Sequence, residues 1–296
     1  MGIRAYDIVH IEQQEKAFGG WREHYQQMSC GIFRNRVVQL ELDGVQVFQE
    51  RINTRVEQYF HAPADALSFC FDHCEQALYV LNGDSENTWI TPRDYAETGL
   101  VFSGGFLARA GAMNIHALDG LFMTPLRSSH CPLFERWLGG LLSNLLSTQG
   151  DGPHDNLAHQ LLEDCFFVAE SAAARLEGTT RRRAPIGRRI VRCAVELVNA
   201  QPEELFNSLQ LATAASVSVR QLQKAFLDFT GVTPSAWLKL RRLNAARRDL
   251  ASAHPRLTVA EVAMRWGFWH LGRFSREYRQ LFQELPSQTV ARHPSG

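Results

Sequence analysis

The chain has 296 residues, 45% hydrophobic and 21% charged, with 31 Lys/Arg balanced by 31 Asp/Glu. That length and apolar content suit two folded domains, each large enough to bury a core. No run of 18 apolar residues occurs, so no membrane-spanning helix is expected, and the first twenty residues lack a signal-peptide apolar core, which points to the cytoplasm.

The start does not complete a myristoylation motif, because position 6 is Tyr6 rather than Ser or Thr. Six scattered cysteines (30, 70, 74, 131, 165 and 193) read as reduced thiols in that compartment. The zero net charge hides an asymmetry. Residues 181–296 hold 19 Lys/Arg against 8 Asp/Glu, and residues 1–180 hold 12 against 23. A basic C-terminal half implies a polyanion partner, most simply nucleic acid. The acidic half argues against phosphate binding there and is expected to limit non-specific adsorption.

Residues 31–130 read mostly as strands. The segments 37–42 and 45–52 both alternate, and Asp43-Gly44 between them is a hairpin turn. Shorter β-like runs follow at 67–71, 77–81, 88–90, 100–102 and 113–117, with turns at 82–84 and 103–105. Many short strands predict a barrel or sandwich. Cys70-Phe71-Asp72-His73-Cys74 gathers two thiols, an imidazole and a carboxylate, but lacks zinc-ligand spacing, so no metal is expected. No GxSxG, phosphate-binding loop or dinucleotide fingerprint is present, which speaks against an enzyme and against a cofactor.

Two segments of helical period come next. Residues 132–148 align Phe134, Trp137, Leu138, Leu141, Leu142 and Leu145 along one side. Residues 155–176 align Leu157, Leu161, Cys165, Val168, Ala172 and Leu176. The turn Gly150-Asp151-Gly152-Pro153 makes them a helical hairpin. Its apolar stripe serves either the domain's own packing or a dimer interface. The stretch 178–187, with Gly, Pro, Thr and Arg181-Arg182-Arg183, reads as a linker between a domain at 1–177 and another at 188–296. The Arg triplet suits a solvated linker or an arm on phosphate.

The second domain reads as all helical. A helix spans 188–199, and another spans 208–215 with Ser208 as cap; Ser216-Val217 turns the chain. Ser218 caps a helix to about Thr230. Thr233 caps a long helix with Pro234 at its first position, ending near Ser252. Thr258–Phe282 then reads as a short helix, a turn at Gly267-Phe268, and a basic second helix burying Phe274, Tyr278, Leu281 and Phe282. This is the pattern of a helix-turn-helix, and the 208–230 region repeats it. The linking helix is about 27 Å long at 1.5 Å per residue. The major groove returns about every 34 Å, so the spacer suits two recognition helices on successive grooves.

The second unit, VAEVAMRWGFWHLGRFSREYRQLFQELPS, resembles the signature of the AraC/XylS family of bacterial transcription regulators. Ala263, Gly267-Phe268, Phe274-Ser275-Arg276, Tyr278, Phe282 and Pro286-Ser287 carry the resemblance, and LATAASVSVRQLQKAFLDFTGVTPSAWLKLRRLNAARRDL extends it over the first unit. GFWHLGRF and AWLKLRRLNAARRDL are most similar to regulators of ethanolamine-utilisation type. The resemblance implies an α+β chain. A β-rich sensing or dimerising domain with a helical hairpin precedes an all-α domain of two helix-turn-helix units. It implies double-stranded promoter DNA as partner, a homodimer through the N-terminal half, and contact with RNA polymerase. A small-molecule effector stays open against an N-terminal domain that only dimerises or binds a protein, as does activation against repression.

Helix geometry turns Ser218, Arg220, Gln221, Gln223 and Lys224 away from the core positions Leu222, Ala225 and Phe226. The resemblance places Arg220, Gln223 and Lys224 at base edges, where Arg and Lys suit guanine and Gln suits adenine. In the second unit Leu271, Gly272, Ser275 and Arg276 hold the corresponding positions. Arg276 is the strong polar reader there, Leu271 suits a thymine methyl, and Gly272 offers no side chain. Arg273 and Arg279 suit phosphate contact or a solvated face. Arg241, Arg242, Arg247 and Arg248 read as structural or phosphate-flanking. Trp266, Phe268 and Trp269 read as core.

Overall fold

The computed structural model describes residues 2–16, 18–111, 118, 120–127, 129–147, 156–176, 186–252 and 257–292. The expected linker at 178–187 falls outside these residues as far as position 185, and so do the strand at 113–117 and the turn at 150–153.

The N-terminal half builds strands β1 (Gly2–Ile8), β2 (Arg22–Gln27), β3 (Asn35–Leu42), β4 (Val45–Ile52), β5 (Val56–His61), β6 (Leu67–Asp72), β7 (Ala77–Asn82), β8 (Glu86–Ile90) and β9 (Tyr95–Phe102). They form a six-stranded sheet, β1-β3-β4-β9-β6-β7, and a three-stranded sheet, β2-β5-β8. Asp43-Gly44 makes the expected hairpin, with Leu42 paired to Val45 and Gly44 at a φ of 75°. Neighbouring strands in both sheets pair antiparallel, and among the described residues no pairing joins the two sheets. The result is an open sandwich rather than a closed barrel.

The large sheet is covered on both faces, which is why its central strands read as nearly continuous apolar runs. Val47, Phe69, Leu78, Val80, Leu100 and Phe102 point to one side. There they meet helices α2 (Cys131–Ser147) and α3 (Leu157–Leu176). Phe71 packs on Phe134 at 5.2 Å between ring centroids, and Phe69 on Phe166 at 5.9 Å. Each such buried side chain contributes about 1.5–3 kcal/mol of transfer free energy. Trp137 departs from the expected stripe and is 40% exposed. The segment expected as a turn at 103–105 instead opens helix α1 (Gly104–Ala110), because the Ser103 hydroxyl accepts from the Phe106 N–H and nucleates it.

The opposite face of the large sheet looks at the small one. Phe18, Val37, Phe48, Ile52 and Val56 fill one end of that interlayer. A second apolar cluster around Phe60, Tyr79 and Leu81 occupies the other end, and a small cavity of about 30 Å³, partly open to solvent, lies between the layers. Gly99 shapes it, since a Cβ there would lie 2.2 Å from the Phe48 ring.

The C-terminal half contains α4 (Ile186–Ala200), α5 (Ser208–Ala214), α6 (Val219–Thr230), α7 (Pro234–Ala251), α8 (Val259–Arg265), α9 (Leu271–Phe282) and α10 (Pro286–Arg292). One core gathers α4, α5, α6 and the start of α7 around Trp237; a second gathers the end of α7 with α8 and α9 around Phe274 and Tyr278. The cap of α5 is Asn207, one residue before the expected Ser208. Its side chain accepts from the Leu209 and Gln210 N–H groups while Gln210 reaches back, a reciprocal box that Ser208 inside the helix does not provide.

Candidate nucleic-acid interface

Both helix-turn-helix units are locked by caps that the sequence spells out. The Ser218 hydroxyl accepts from the Gln221 N–H at 3.3 Å, and Gln221 Oε1 accepts from the Ser218 N–H at 2.9 Å. The Thr258 and Glu261 pair makes the same box at the start of α8. Thr233 caps α7 with Pro234 at its first position. The turn into α9 requires Gly267, whose φ is 75°.

These caps fix which side chains each recognition helix offers. On α6, Arg220, Gln223, Lys224 and Leu227 are exposed at i, i+3, i+4 and i+7. Leu222, Ala225 and Phe226 are buried on the opposite side. Ser218 and Gln221 are exposed too, but the Ser218 hydroxyl and Gln221 Oε1 are engaged in the cap. Lys224 Nζ lies 3.1 Å from Asp228 Oδ2. On α9, Gly272, Arg276 and Arg279 are exposed and Ser275 half-buried at the same spacing, with Leu271 exposed beside them. A Cβ at Gly272 would meet nothing within 4 Å, so the backbone there is open to close approach. Arg273 donates to Glu277 at 3.1 Å, and Glu277 also accepts from Lys239 at 3.3 Å, so Arg273 is tied to its own helix. Among the described residues Arg220 and Arg276 have no ion-pair partner.

Trp269 was expected in the core and is instead 72% exposed. The burial at this turn is taken by Trp266, whose Nε1–H donates to Asp249 at 2.8 Å, and by Phe268 against Phe274 at 5.0 Å. Trp269 is left to project beside the N-terminus of α9. Its chemistry was legible, but its direction depended on which turn residues the second core had room for.

The central helix arginines are structural. Arg241 Nη1 donates to Glu57 Oε1 at 2.7 Å, and Glu57 also accepts from Trp237 Nε1–H. Arg247 bridges Glu12, at 3.1 Å, and Glu284. Arg242 lies over the Phe268 ring. Burial lowers the pKa of Arg242 and of Arg248.

Glu12 and Glu57 belong to the N-terminal half, and that half grips the other at several more points. Met28 inserts into the core of the first unit. The Asn244 side chain exchanges two hydrogen bonds with the Gln27 backbone, at 2.7 and 2.9 Å. Arg55 donates to the Thr230 carbonyl at the C-terminus of α6. Gln27 Nε2 and the Gly31 N–H both donate to the Leu281 carbonyl near the C-terminus of α9, at 3.0 and 3.1 Å. Strand β2, strand β5 and their adjoining loops thus satisfy otherwise orphaned carbonyls of both recognition helices and leave the outward faces uncovered.

A family model described as a helix-turn-helix domain matches residues 211–292. The probable thc operon regulatory protein of Rhodococcus erythropolis is 36% identical over 166 residues, which cover 54% of this chain and 49% of that one. The XylDLEGF operon transcriptional activator 2 of Pseudomonas putida is 36% identical over 100 residues, 33% of this chain and 64% of that one. The chain therefore spans about half to two thirds of these relatives' length. A probable AraC family transcriptional regulator from Rhodopseudomonas palustris, known from its crystal structure, is 34% identical; the match covers 35% of this chain and 96% of that one, with a TM-score of 0.34. With the motifs over Leu211–Ser287 and this matched domain, the chain belongs to the AraC/XylS family.

Proposed function

We propose that the chain is a sequence-specific DNA-binding transcription regulator. It lays α6 and α9 in successive major grooves and positions itself near a promoter, where it contacts RNA polymerase. The observation that carries this reading is the repeated outward face. Positions 220, 223, 224 and 227 on one helix and 272, 275, 276 and 279 on the other share one spacing. Both are mounted on a single 18-residue helix, α7. Arg220, Gln223, Lys224 and Arg276 read base edges, with Leu271 on a thymine methyl. Gly272 lets the α9 backbone approach phosphate, and Arg279 and Trp269 flank it. Ser218, Gln221, Ser275 and Arg273 hold the readers in place or meet the sugar-phosphate backbone.

The N-terminal domain, residues 1–177, is the sensing and dimerising unit, joined through 178–187 to the DNA-binding domain at 188–296. The cavity between its sheets, lined by aromatic rings and carboxylates, supports a small-molecule sensor over a domain that only dimerises. Leu133, Trp137 and Phe167 on the helical hairpin are exposed and support that face as the homodimer contact. Catalysis is not part of the reading, and the protein works on the nucleoid in the cytoplasm. Selection of bound sequences from a random duplex pool, followed by footprinting, tests it. The expected result is an enriched motif with two protected stretches one helical turn apart. Binding with no enriched sequence would sink the reading.

A further inference from the structure

The walls of the interlayer cavity carry an unusual combination of side chains. Glu50 on β4, Asp72 on β6, Glu97 on β9 and Glu23 on β2 all line it. So do Trp21, Phe60, Tyr79 and Trp89, and among the described residues no Lys, Arg or His lines it. We propose that this cavity takes a small organic cation: an amine or quaternary ammonium on a compact apolar body, seated among the aromatic rings with its charge toward Glu23, Glu50 and Glu97. The proposal rests on reading the N-terminal domain as a ligand sensor, and it names the chemistry of the ligand.

Three observations converge on it. The first is the aromatic arrangement. Trp21 stands nearly edge-on to Phe48 at 6.4 Å and to Phe60 at 6.0 Å, and Tyr79 is perpendicular to Trp89 at 4.6 Å. Rings set at right angles to one another cannot all turn their electropositive edges to the same point, and a cation is drawn to their electron-rich faces.

The second is the state of the carboxylates. Each is oriented by a neighbour: Tyr25 and Gln58 donate to Glu23 Oε1 at 3.1 and 3.0 Å, Asn35 donates to Glu50 Oε2 at 2.8 Å, and Tyr95 donates to Glu97 Oε2 at 2.7 Å. Glu23 Oε2 is left buried with no hydrogen-bond partner among the described residues. A buried acceptor without a donor costs stability unless something fills the role. An ammonium N–H or a polarised N–CH₃ group fills it.

The third is that no counter-charge lines the cavity among the described residues. Several acids share a low-dielectric space with no cation among the lining residues. Burial pushes Glu23 up to about 8 and raises Glu50 and Glu97 as well, so near neutral pH the empty cavity holds a proton on Glu23 in place of a cation. The groups facing Glu23 are Glu15, Tyr25, Glu50 and Glu97, none of them a cation. A bound ammonium displaces the Glu23 proton, so binding is linked to proton release.

The same features exclude the rivals. An anion would face only acids. Among the described residues no three His, Cys, Asp or Glu side chains converge as a metal site.

The test uses the full chain without DNA, by isothermal titration and thermal shift. Choline is compared with its uncharged carbon isostere 3,3-dimethylbutan-1-ol, and benzylamine with benzyl alcohol and benzoate. The expected result is that a cation binds at least tenfold more tightly than its neutral counterpart and that benzoate does not bind. Choline affinity rises from pH 6 to pH 8, with proton release that scales with the buffer's ionisation heat. Glu23→Gln and Glu97→Gln weaken cation binding tenfold or more, and their thermal midpoints without ligand stay at or above that of the unsubstituted protein. The proposal is overturned if neither cation binds, if the neutral or anionic partner binds as tightly, or if both variants keep full affinity. DNA binding by the same preparations is measured separately, so failure of the regulator reading leaves the cation result standing, and the reverse.

Discussion

Arg220 and Arg276 are exposed arginines on recognition helices, whereas Arg241 and Arg247 are arginines on the central helix turned to structural use. The difference is the partner each finds. Glu57, Glu12 and Glu284 consume the second pair, and the first pair is left for an external acceptor. Arg220→Ala is therefore expected to cost about 1–3 kcal/mol at the preferred site and to relax choice at one base pair, measured by fluorescence anisotropy over single-base variants. A uniform loss across all sequences would reassign Arg220 to phosphate. Glu23 sets a second residue-scale expectation. Its pKa rises from 4.5 to about 8 in the folded chain. Between those values the folded state holds a proton that the unfolded state has lost, so this group's contribution to stability falls as pH rises through that window. Its steepest slope is about 1.4 kcal/mol per pH unit. Glu23→Gln removes the slope, so the stability gap between variant and parent, read from urea midpoints, widens from pH 5 to pH 8 and is constant above. A gap independent of pH would place Glu23 in contact with solvent.

At the scale of elements, the short turns and end contacts of the helices matter more than their lengths. Gly267 turns the chain between α8 and α9 at a φ of 75°, and a Cβ there would sit 3.0 Å from Leu205 and 3.3 Å from Arg242. Gly267→Ala is expected to destabilise by about 1–2 kcal/mol from the left-handed backbone alone, seen as an earlier urea midpoint. An unchanged midpoint would mean that the turn relaxes freely. The small sheet acts through its two sides. Glu23 and Tyr25 on β2, with Gln58 and Phe60 on β5, border the cavity or its packing. Glu57 on β5 and Gln27 on β2 hold α7. On β5, alternation along the strand puts the cavity-side Gln58 one position from Glu57, whereas on β2 the hold on α7 comes from the Gln27 backbone.

For the whole molecule, the acidic and basic halves meet rather than merely adjoin. Glu12 with Arg247 and Glu57 with Arg241 are buried pairs across the division. Met28 from the acidic half completes a core of the basic half. The charge asymmetry is thus partly spent on joining the domains, in addition to any effect on adsorption to DNA. The helical hairpin faces away from this joint with Trp137 40% and Phe167 58% exposed. A double variant Trp137→Glu, Phe167→Glu is expected to shift the protein from dimer to monomer in sedimentation velocity without lowering its melting temperature. A dimer that survives both charges would place the interface elsewhere.

The sequence by itself determined the elements governed by local rules. The Asp43-Gly44 hairpin, the caps Ser218, Thr233 and Thr258, Pro234 at the start of α7 and the turn at Gly267 stand where their short-range chemistry puts them. The exposed faces of α6 and α9 follow from those caps plus helical period. Strands β1, β2 and β5 were not legible, because Arg22-Glu23-His24-Tyr25-Gln26-Gln27 and Val56-Glu57-Gln58-Tyr59-Phe60-His61 carry polar residues whose burial depends on distant partners. Only the tertiary structure decided that Glu57 binds α7, that Trp269 faces outward, and that Glu23, Glu50 and Glu97 converge on one cavity. A cap or a turn is settled within four residues of chain. A carboxylate's environment is settled by which other strands fold against it, and for these three the strands come from two different sheets.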